Sequence, residues 1–355
     1  MKILLIKLNK IGDVLLTSPM FLNLKNHFKN CQIDILVNYG TEGILDTTHL
    51  NKIHTLKRHK NPLLRLKSEI SLLYAIQKEK YDIVFGLMGG ERTAFLSFWS
   101  GAKVKVGFPP SSFWAKNIYT HKLSYKSQHN IQSNLDALRI LDIKITSIEV
   151  LPPKLQSSKK LENLPKNFIH LHFFSDWSYK CLNPKFYAKL LDFIIEAFKI
   201  PCILTASNNP QEIANIQEIK KFIKNEIIIF EGNLSLKEVS LLNSKALAFI
   251  GVDTSIMHLS AANNTPTFAF FGPSFADFWG PWDNSLKNCT YEHKGGLQKM
   301  GKHQIYQEEL SCVPCGRSGC EDSLKSDCLL SKFNEEKALK AVSNFLKPLI
   351  QNLEA

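Results

Sequence analysis

Two short apolar runs, residues 247–252 and 267–271, bracket an acidic turn and a helix-like segment within ALAFIGVDTSIMHLSAANNTPTFAFFGPS, residues 246–274. Near-continuous apolar runs of this length are the pattern of parallel strands covered on both faces. Two of them joined through a helix make a βαβ unit, which commits the surrounding chain to an α/β architecture. Asp253 and Thr254 fall at the C-terminal end of the first run, where open α/β sheets bind their ligands. Thr254 or Ser255 is expected to cap the helix, whose first N–H groups and positive dipole end suit an anion. His258 lies one turn further along, on roughly the same face. The second run ends at Gly272, where a missing side chain permits a sharp turn and a close approach. The same residues also suit an ordinary βαβ unit in which Asp253 and Ser255 serve only the helix end.

The chain on either side repeats this alternation. Strand-like segments at 2–8, 32–37, 52–56, 82–87 and 103–106 alternate with helical patterns, notably to about residue 29, at 63–80 and at 92–99. Residues 108–135 carry no clear period, and 134–141 reads as a helix. The Pro- and Ser-containing stretch 151–165 looks like an interdomain linker. A second series follows, with strands at 168–174, 202–205 and 227–230 and helices at 184–199, 211–224 and 236–244. An amphipathic helix at 335–353 closes the chain. Two doubly wound domains are the expectation, and 355 residues are enough for two full cores.

Charge narrows the partners only loosely. The net charge of +12 favours an acidic partner, whether nucleic acid, an anionic membrane surface or a phosphorylated substrate. No zinc-finger, helix-turn-helix or aromatic RNA-binding pattern points to nucleic acid. No apolar run approaches the roughly 18 residues of a membrane span. The apolar stretch in MKILLIKLNKIGD is too short for a signal peptide, so a cytoplasmic location is expected.

Five places bear residues suited to chemistry. In KLNKIGDVLLTSP, residues 7–19, Asp13 stands at the mouth of a helix after a buried strand, where a carboxylate serves as a base or merely as a cap. In FSDWSYKCL, residues 174–182, Lys180 offers a mobile charge for a diphosphate and Ser175 a hydroxyl. Glu212 sits in a first helical turn, favoured there by the dipole. Cys312, Cys315, Cys320 and Cys328 fall within 17 residues, a spacing with the character of a structural zinc knuckle. Residues 52–67 hold six Lys or Arg and two His, a solvated basic face or a docking surface for an anionic partner. Arg92 follows Gly89-Gly90 at a strand end.

The motif D-T-S-x-x-H-L-S-A-A, followed by T-P-T and F-G-P-S, resembles the donor-site signature of glycosyltransferase family 9, the bacterial heptosyltransferases of the lipopolysaccharide inner core. G-D-V-L-L-T-x-P at residues 12–19 is similar to that family's N-terminal signature. F-W-G-P-W at 278–282 and the C-terminal cysteines are closest to its heptosyltransferase III-like branch. The resemblance implies the GT-B fold: two Rossmann-like doubly wound domains facing across a cleft. The expected acceptor-side domain is 1–155. The nucleotide-sugar domain is 156–331, including the Cys-rich segment 312–328, and a terminal helix, 332–355, packs back on the first domain.

It also implies roles. Asp13 is the base, and Gly12 and Arg92 contact the acceptor. Ser175, Lys180, Glu212, Asp253, Thr254, Ser255 and His258 bind the donor. Where the family often has Trp after the Lys-Cys pair, this chain has Leu182. The implied partners are ADP-heptose and a phosphorylated lipid-anchored core oligosaccharide, met at the inner-membrane surface, with no nucleic acid. With no Asp-x-Asp pair to hold a metal–diphosphate, no cofactor is required, and structural zinc at the four cysteines is the one metal expected. The competing readings are a GT-B enzyme with another nucleotide sugar, and a non-enzymatic basic zinc-containing binding protein.

Overall fold

A computed structural model describes residues 1–354, and the chain divides into two compact units, Met1–Pro153 and Lys154–Ala355. The first begins with β1 (Lys2–Lys7), a strand whose Ile3, Leu4, Leu5 and Ile6 are fully buried. α1 (Ile11–Leu15) and α2 (Pro19–His27) follow. One continuous helix was expected here. Pro19 prevents it, because a helix running through that position would lose a hydrogen bond and drive the ring into the carbonyl of Leu15. Next come β2 (Gln32–Asn38), β3 (Lys52–Leu56), α3 (Pro62–Glu79), β4 (Ile83–Gly86), α4 (Glu91–Trp99), β5 (Val104–Gly107), β6 (His121–Lys122) and α5 (Asn130–Arg139).

The six strands form one sheet of order β3-β2-β1-β4-β5-β6, with every pair parallel. This is the Rossmann order, and its reversal lies between β1 and β4. α3 is set by Asn61, whose side chain accepts from the Leu63 and Leu64 N–H groups, and by Pro62 at its first position. Only Ile76 of this helix is buried, and Leu63 is 77% exposed.

The second unit contains β7 (Ile169–His172), α6 (Pro184–Phe198), β8 (Cys202–Ala206), α7 (Pro210–Lys220), β9 (Ile228–Glu231), α8 (Leu236–Lys245), β10 (Ala248–Val252), α9 (Ser255–Ala262), β11 (Thr267–Phe271), α10 (Ala276–Trp279), β12 (Gly296–Met300), β13 (His303–Gln307) and α11 (Glu335–Glu354). Their sheet runs β12-β13-β11-β10-β7-β8-β9, parallel throughout except for the antiparallel pair β12–β13. Its order reverses between β7 and β10, so the loops leaving those two strands flank the ligand-binding end of the sheet. Beneath them runs a buried polar chain. His170 Nδ1 lies 2.5 Å from Asn243 Oδ1, and Thr205 Oγ1 stands 2.8 Å from His170 Nε2 and 3.1 Å from His172 Nδ1. It ties β7, β8 and α8 together where an unpaired polar group would be costly.

The division between the units, Pro153/Lys154, falls within the expected linker 151–165, and the stretch is anchored at both ends. The Leu151 N–H donates to Ser18 Oγ in the first unit, and Leu161 packs with Phe168, Ile203 and Leu242 in the second. Helix α11 is part of the second unit: Ala338, Ala341, Val342, Phe345 and Leu346 join its main core with residues of α6, β10 and β11. The β12–β13 hairpin has no counterpart in the sequence reading, because its polar residues mask a strand's period.

Candidate active site

The ligand-binding end of the second sheet is organised around one ion pair. Lys180, in the loop after β7, places Nζ 2.6 Å from Oδ2 of Asp253, the first residue after β10. The loop is held in place by packing: Leu182 is buried in the main core, and its N–H donates to the Tyr187 hydroxyl, which in turn donates to Phe173 O. Asp253 is only 4% exposed. Burial pushes its carboxyl up, but the Lys180 charge and hydrogen bond, with Ser274 and His258 adding to them, hold it below the usual carboxylate range. Asp253 is therefore a fixed anion at neutral pH.

His258, one turn into α9, is buried beside this pair, and its Nδ1 has no hydrogen-bond partner. Burial lowers its pKa to about 4; the Asp253 charge pulls upward and the Lys180 charge downward. The ring is thus neutral at pH 7, and its Nδ1 is a buried polar atom left without a partner. Thr254 occupies the N-cap position of α9, but contrary to expectation its side chain makes no capping bond. The first turn is thus left without a capping side-chain oxygen, and such a turn offers N–H groups to an anion. Ser255 is the first helical residue.

Glu212 is buried, and its Oε2 accepts from the Ser207 N–H at 2.7 Å, closing the loop between β8 and α7. Burial raises its pKa, and Asp176 adds to the effect, which brings the carboxylate into the field of the Lys180 loop. Ser175 supports that loop locally, its Oγ accepting from the Trp177 N–H. Two contributors were missed. Ser274 bonds to Asp253, and Gln307 donates through Nε2 to the carbonyls of both Gly272 and Ser274, fixing the loop after β11. Ser274 was legible within F-G-P-S; Gln307 ends a strand that was not foreseen. At Gly272 a Cβ would collide with Leu329, so glycine is required for that close approach.

In the first unit, Asp13 lies in the opening turn of α1 and is half-buried. Lys10, not Asp13, holds the N-cap position, so the simple capping role does not apply. Asn130 Nδ2 donates to Asp13 Oδ1 at 2.9 Å. One turn along α5, Asn134 receives a bond from Lys7 Nζ at 3.1 Å and donates to Leu16 O at 2.9 Å. Lys7 is buried; burial lowers its pKa, while the Asp13 charge pulls it back up. Asn130 escaped the sequence reading, which began this helix four residues late; the Asn-x3-Asn spacing was the available signal. Gly12 is buried within α1. Arg92, at the start of α4, places Nη2 2.6 Å from Glu69 Oε1, a pairing that the sequence reading did not foresee.

The four cysteines are unbridged and line one cavity of about 40 Å³ with Pro273, Leu310, Val313 and Lys332. Cys328 is buried; its burial, followed by the nearby Cys315, Cys320 and Cys312, pushes its thiol up to about 12.

Two doubly wound units, one carrying a buried cation–carboxylate pair beside an uncapped helix at its switch point, define a GT-B glycosyltransferase. The profile of Glycosyltransferase family 9 (heptosyltransferase) matches residues 70–309, and the chain belongs to that family. Lipopolysaccharide heptosyltransferase 3 of Escherichia coli is 26% identical over 320 residues, covering 85% of this chain and 93% of its own. Among solved structures, the glycosyl transferase family 9 protein from Veillonella parvula superposes with a TM-score of 0.75 at 18% identity, covering 100% of this chain and 97% of its own. The E. coli ADP-heptose LPS heptosyltransferase II gives 0.73 at 16% identity, with 100% of both chains covered. Family membership makes the chain an enzyme and sets aside the binding-protein reading.

Proposed function

We propose that this glycosyltransferase moves a heptose from ADP-heptose onto a phosphorylated, lipid-anchored core oligosaccharide of lipopolysaccharide or lipooligosaccharide, with inversion at the anomeric carbon. The Lys180–Asp253 pair at the β7/β10 switch point carries the reading. A lysine held by a buried carboxylate is positioned as a point charge, and the neighbouring first turn of α9 adds N–H groups for the same diphosphate. The family and the relatives named above support the sugar and the acceptor.

In this mechanism Asp13 takes the acceptor hydroxyl proton as that oxygen attacks the anomeric carbon, opposite the diphosphate. The bond from that carbon to the diphosphate oxygen breaks, and ADP leaves with the electron pair. Lys180, Thr254, Ser255 and the α9 N-terminus stabilise the growing negative charge. Asp253 holds Lys180 in place and accepts hydrogen bonds from the donor sugar's hydroxyls, beside the neutral His258. Glu212 and Ser175 shape the donor loops, and Gly12 and Arg92 serve the acceptor. Work at the cytoplasmic face of the inner membrane fits the basic residues of 52–67 together with the exposed Leu63, Leu64, Leu66, Ile70 and Tyr74 of α3. Among the described residues no helix is long and apolar enough to cross a membrane.

The test is a donor screen on core-truncated lipooligosaccharide, with the product read by mass spectrometry. Heptose addition from ADP-heptose, and no transfer from UDP- or GDP-sugars, is expected. Transfer from another nucleotide sugar would keep the glycosyltransferase and discard the heptose.

A further inference from the structure

The cysteine-rich segment belongs to none of the steps above, yet it is built against the loops that perform them. The N–H groups of Cys315 and Gly316 both donate to Pro273 O, at 3.2 and 2.8 Å. Leu329 fills the space that the missing Gly272 side chain leaves, and Gly316 (φ +67°) brings its backbone against the Phe275 ring. On the other side, Ser178 Oγ donates to Leu324 O at 3.0 Å, tying the segment to the Lys180 loop. The segment's only regular structure is two single 3₁₀ turns, at Cys320–Asp322 and Asp327–Leu329, and Cys312, Cys315 and Cys320 are exposed. Val313, Cys328 and Leu329 anchor its two ends in the main core, and the turns between them, from Cys315 to Lys325, are the part that a staple would hold.

We infer that Cys312, Cys315, Cys320 and Cys328 form a tetrathiolate site for one soft divalent metal ion, zinc or ferrous iron, that clips this segment behind the donor loops. The donor set is the argument: four thiols and no other soft ligand surround a single cavity, and four sulfurs select zinc or iron. The two pairs approach from different turns, Cys312 and Cys315 beside the Pro273 contact, and Cys320 and Cys328 from the two 3₁₀ turns. Gly316 and Gly319 both have positive φ, which lets the chain fold sharply next to a ligand. The Asp327 N–H lies 3.4 Å from Cys320 Sγ, a donor suited to a thiolate. Cys328 lies close enough to the other three thiols to feel their charges. Among the described residues no group of three or more His, Cys, Asp or Glu side chains is already set to hold a metal ion.

The test uses the full chain purified under reducing, chelator-free conditions. Elemental analysis is expected to find one zinc or iron per chain, and the absorption edge tells the two apart. X-ray absorption is expected to give four sulfur neighbours at ~2.3 Å for zinc. Cys312→Ser changes an exposed residue, so the fold survives its loss, and metal content is expected to fall several-fold. A chain that takes up neither metal anaerobically, that binds it through nitrogen or oxygen, or whose four cysteines pair as disulfides under these conditions would overturn the site. The clip's effect on the donor loops rests on the proposed function and is read separately. Metal removal is expected to weaken ADP binding about tenfold and to speed hydrogen exchange at residues 178–182 and 272–275, a shift of ~1.4 kcal/mol. Unchanged exchange in a metal-free chain would overturn the positioning role while leaving the metal site standing.

Discussion

Asp13 and Asp253 each follow the C-terminal end of a central parallel strand at a switch point, yet the two units treat them differently. Asp253 is buried and ion-paired to Lys180, with Ser274 and His258 close by. Asp13 is half-buried and receives a neutral amide from Asn130, while the nearby Lys7 ammonium donates to Leu87 O and Asn134. In the proposed mechanism the first of these carboxylates, Asp253, is a fixed charge beside the donor and the second is the base. The two loops differ in what they bring alongside: an ammonium to Asp253 and an amide to Asp13.

Removing the proton acceptor should separate the two roles most sharply. Asp13→Asn is expected to lower turnover by about 10²-fold or more while sparing nucleotide affinity. Normal turnover by that variant would end the base assignment. Lys180→Met strands the buried Asp253 and should destabilise the second unit by about 3–5 kcal/mol in denaturant titration. Adding Asp253→Asn should restore much of that stability but not nucleotide binding. Recovery of binding in the double variant would show that the pair's charge is not what the donor needs.

Asn130→Ala tests the softer contact. A hydrogen bond to a charged group contributes about 1.5–3 kcal/mol, so roughly a tenfold or larger loss in kcat is expected, with a shifted acidic limb in the pH–rate profile. An unmoved pH profile would reduce Asn130 to a structural role.

The smallest effect per step is titration of the second unit's buried imidazoles. Burial lowers His170, His258 and His303 to about 4 and His172 to about 3. Their folded values lie below the unfolded value of 6.5, so their contribution is intact above pH 6.5 and is lost as pH falls toward 4. Asp253, with its folded pKa depressed, loses its contribution in the same direction, below the ordinary carboxylate range. Each proton taken up on unfolding costs ~1.4 kcal/mol per pH unit. Lys7 has the same sense in a higher window: its lowered value makes the first unit gain stability as pH rises toward 10.5. Hydrogen exchange in β7 and β10 should therefore lose protection between pH 6.5 and 4; flat protection there would contradict the buried neutral imidazoles.

What could be read from the chain follows how local each signal is. β10, α9 and β11 were legible because two apolar runs and a helix face lie within a single stretch of sequence. Lys180 was placed by its motif, but its partner stands 73 positions away, and no local pattern joins them. The Asn130–Asp13 contact spans 117 positions and was invisible for the same reason. The α1–α2 break was readable from Pro19 alone and was passed over because the apolar period continues across it. In β12 and β13, Gln298, Lys299 and Gln304 interrupt the apolar run that would have marked a strand. The missing side-chain cap on α9 was not legible either, because Thr is a residue type that commonly caps and Thr254 has the extended backbone of an N-cap.

The central claim is that the Lys180–Asp253 end of the second unit binds a nucleoside diphosphate as part of an ADP-heptose donor. Calorimetric titration of the full chain with ADP, UDP, GDP and CMP, repeated on Lys180→Ala and Asp253→Ala, tests it most directly. Selective ADP binding to the wild type, weakened at least tenfold in both variants, a change of ~1.4 kcal/mol, is the expected result. Equal ADP affinity in all three proteins, or selectivity for another nucleotide, would contradict it.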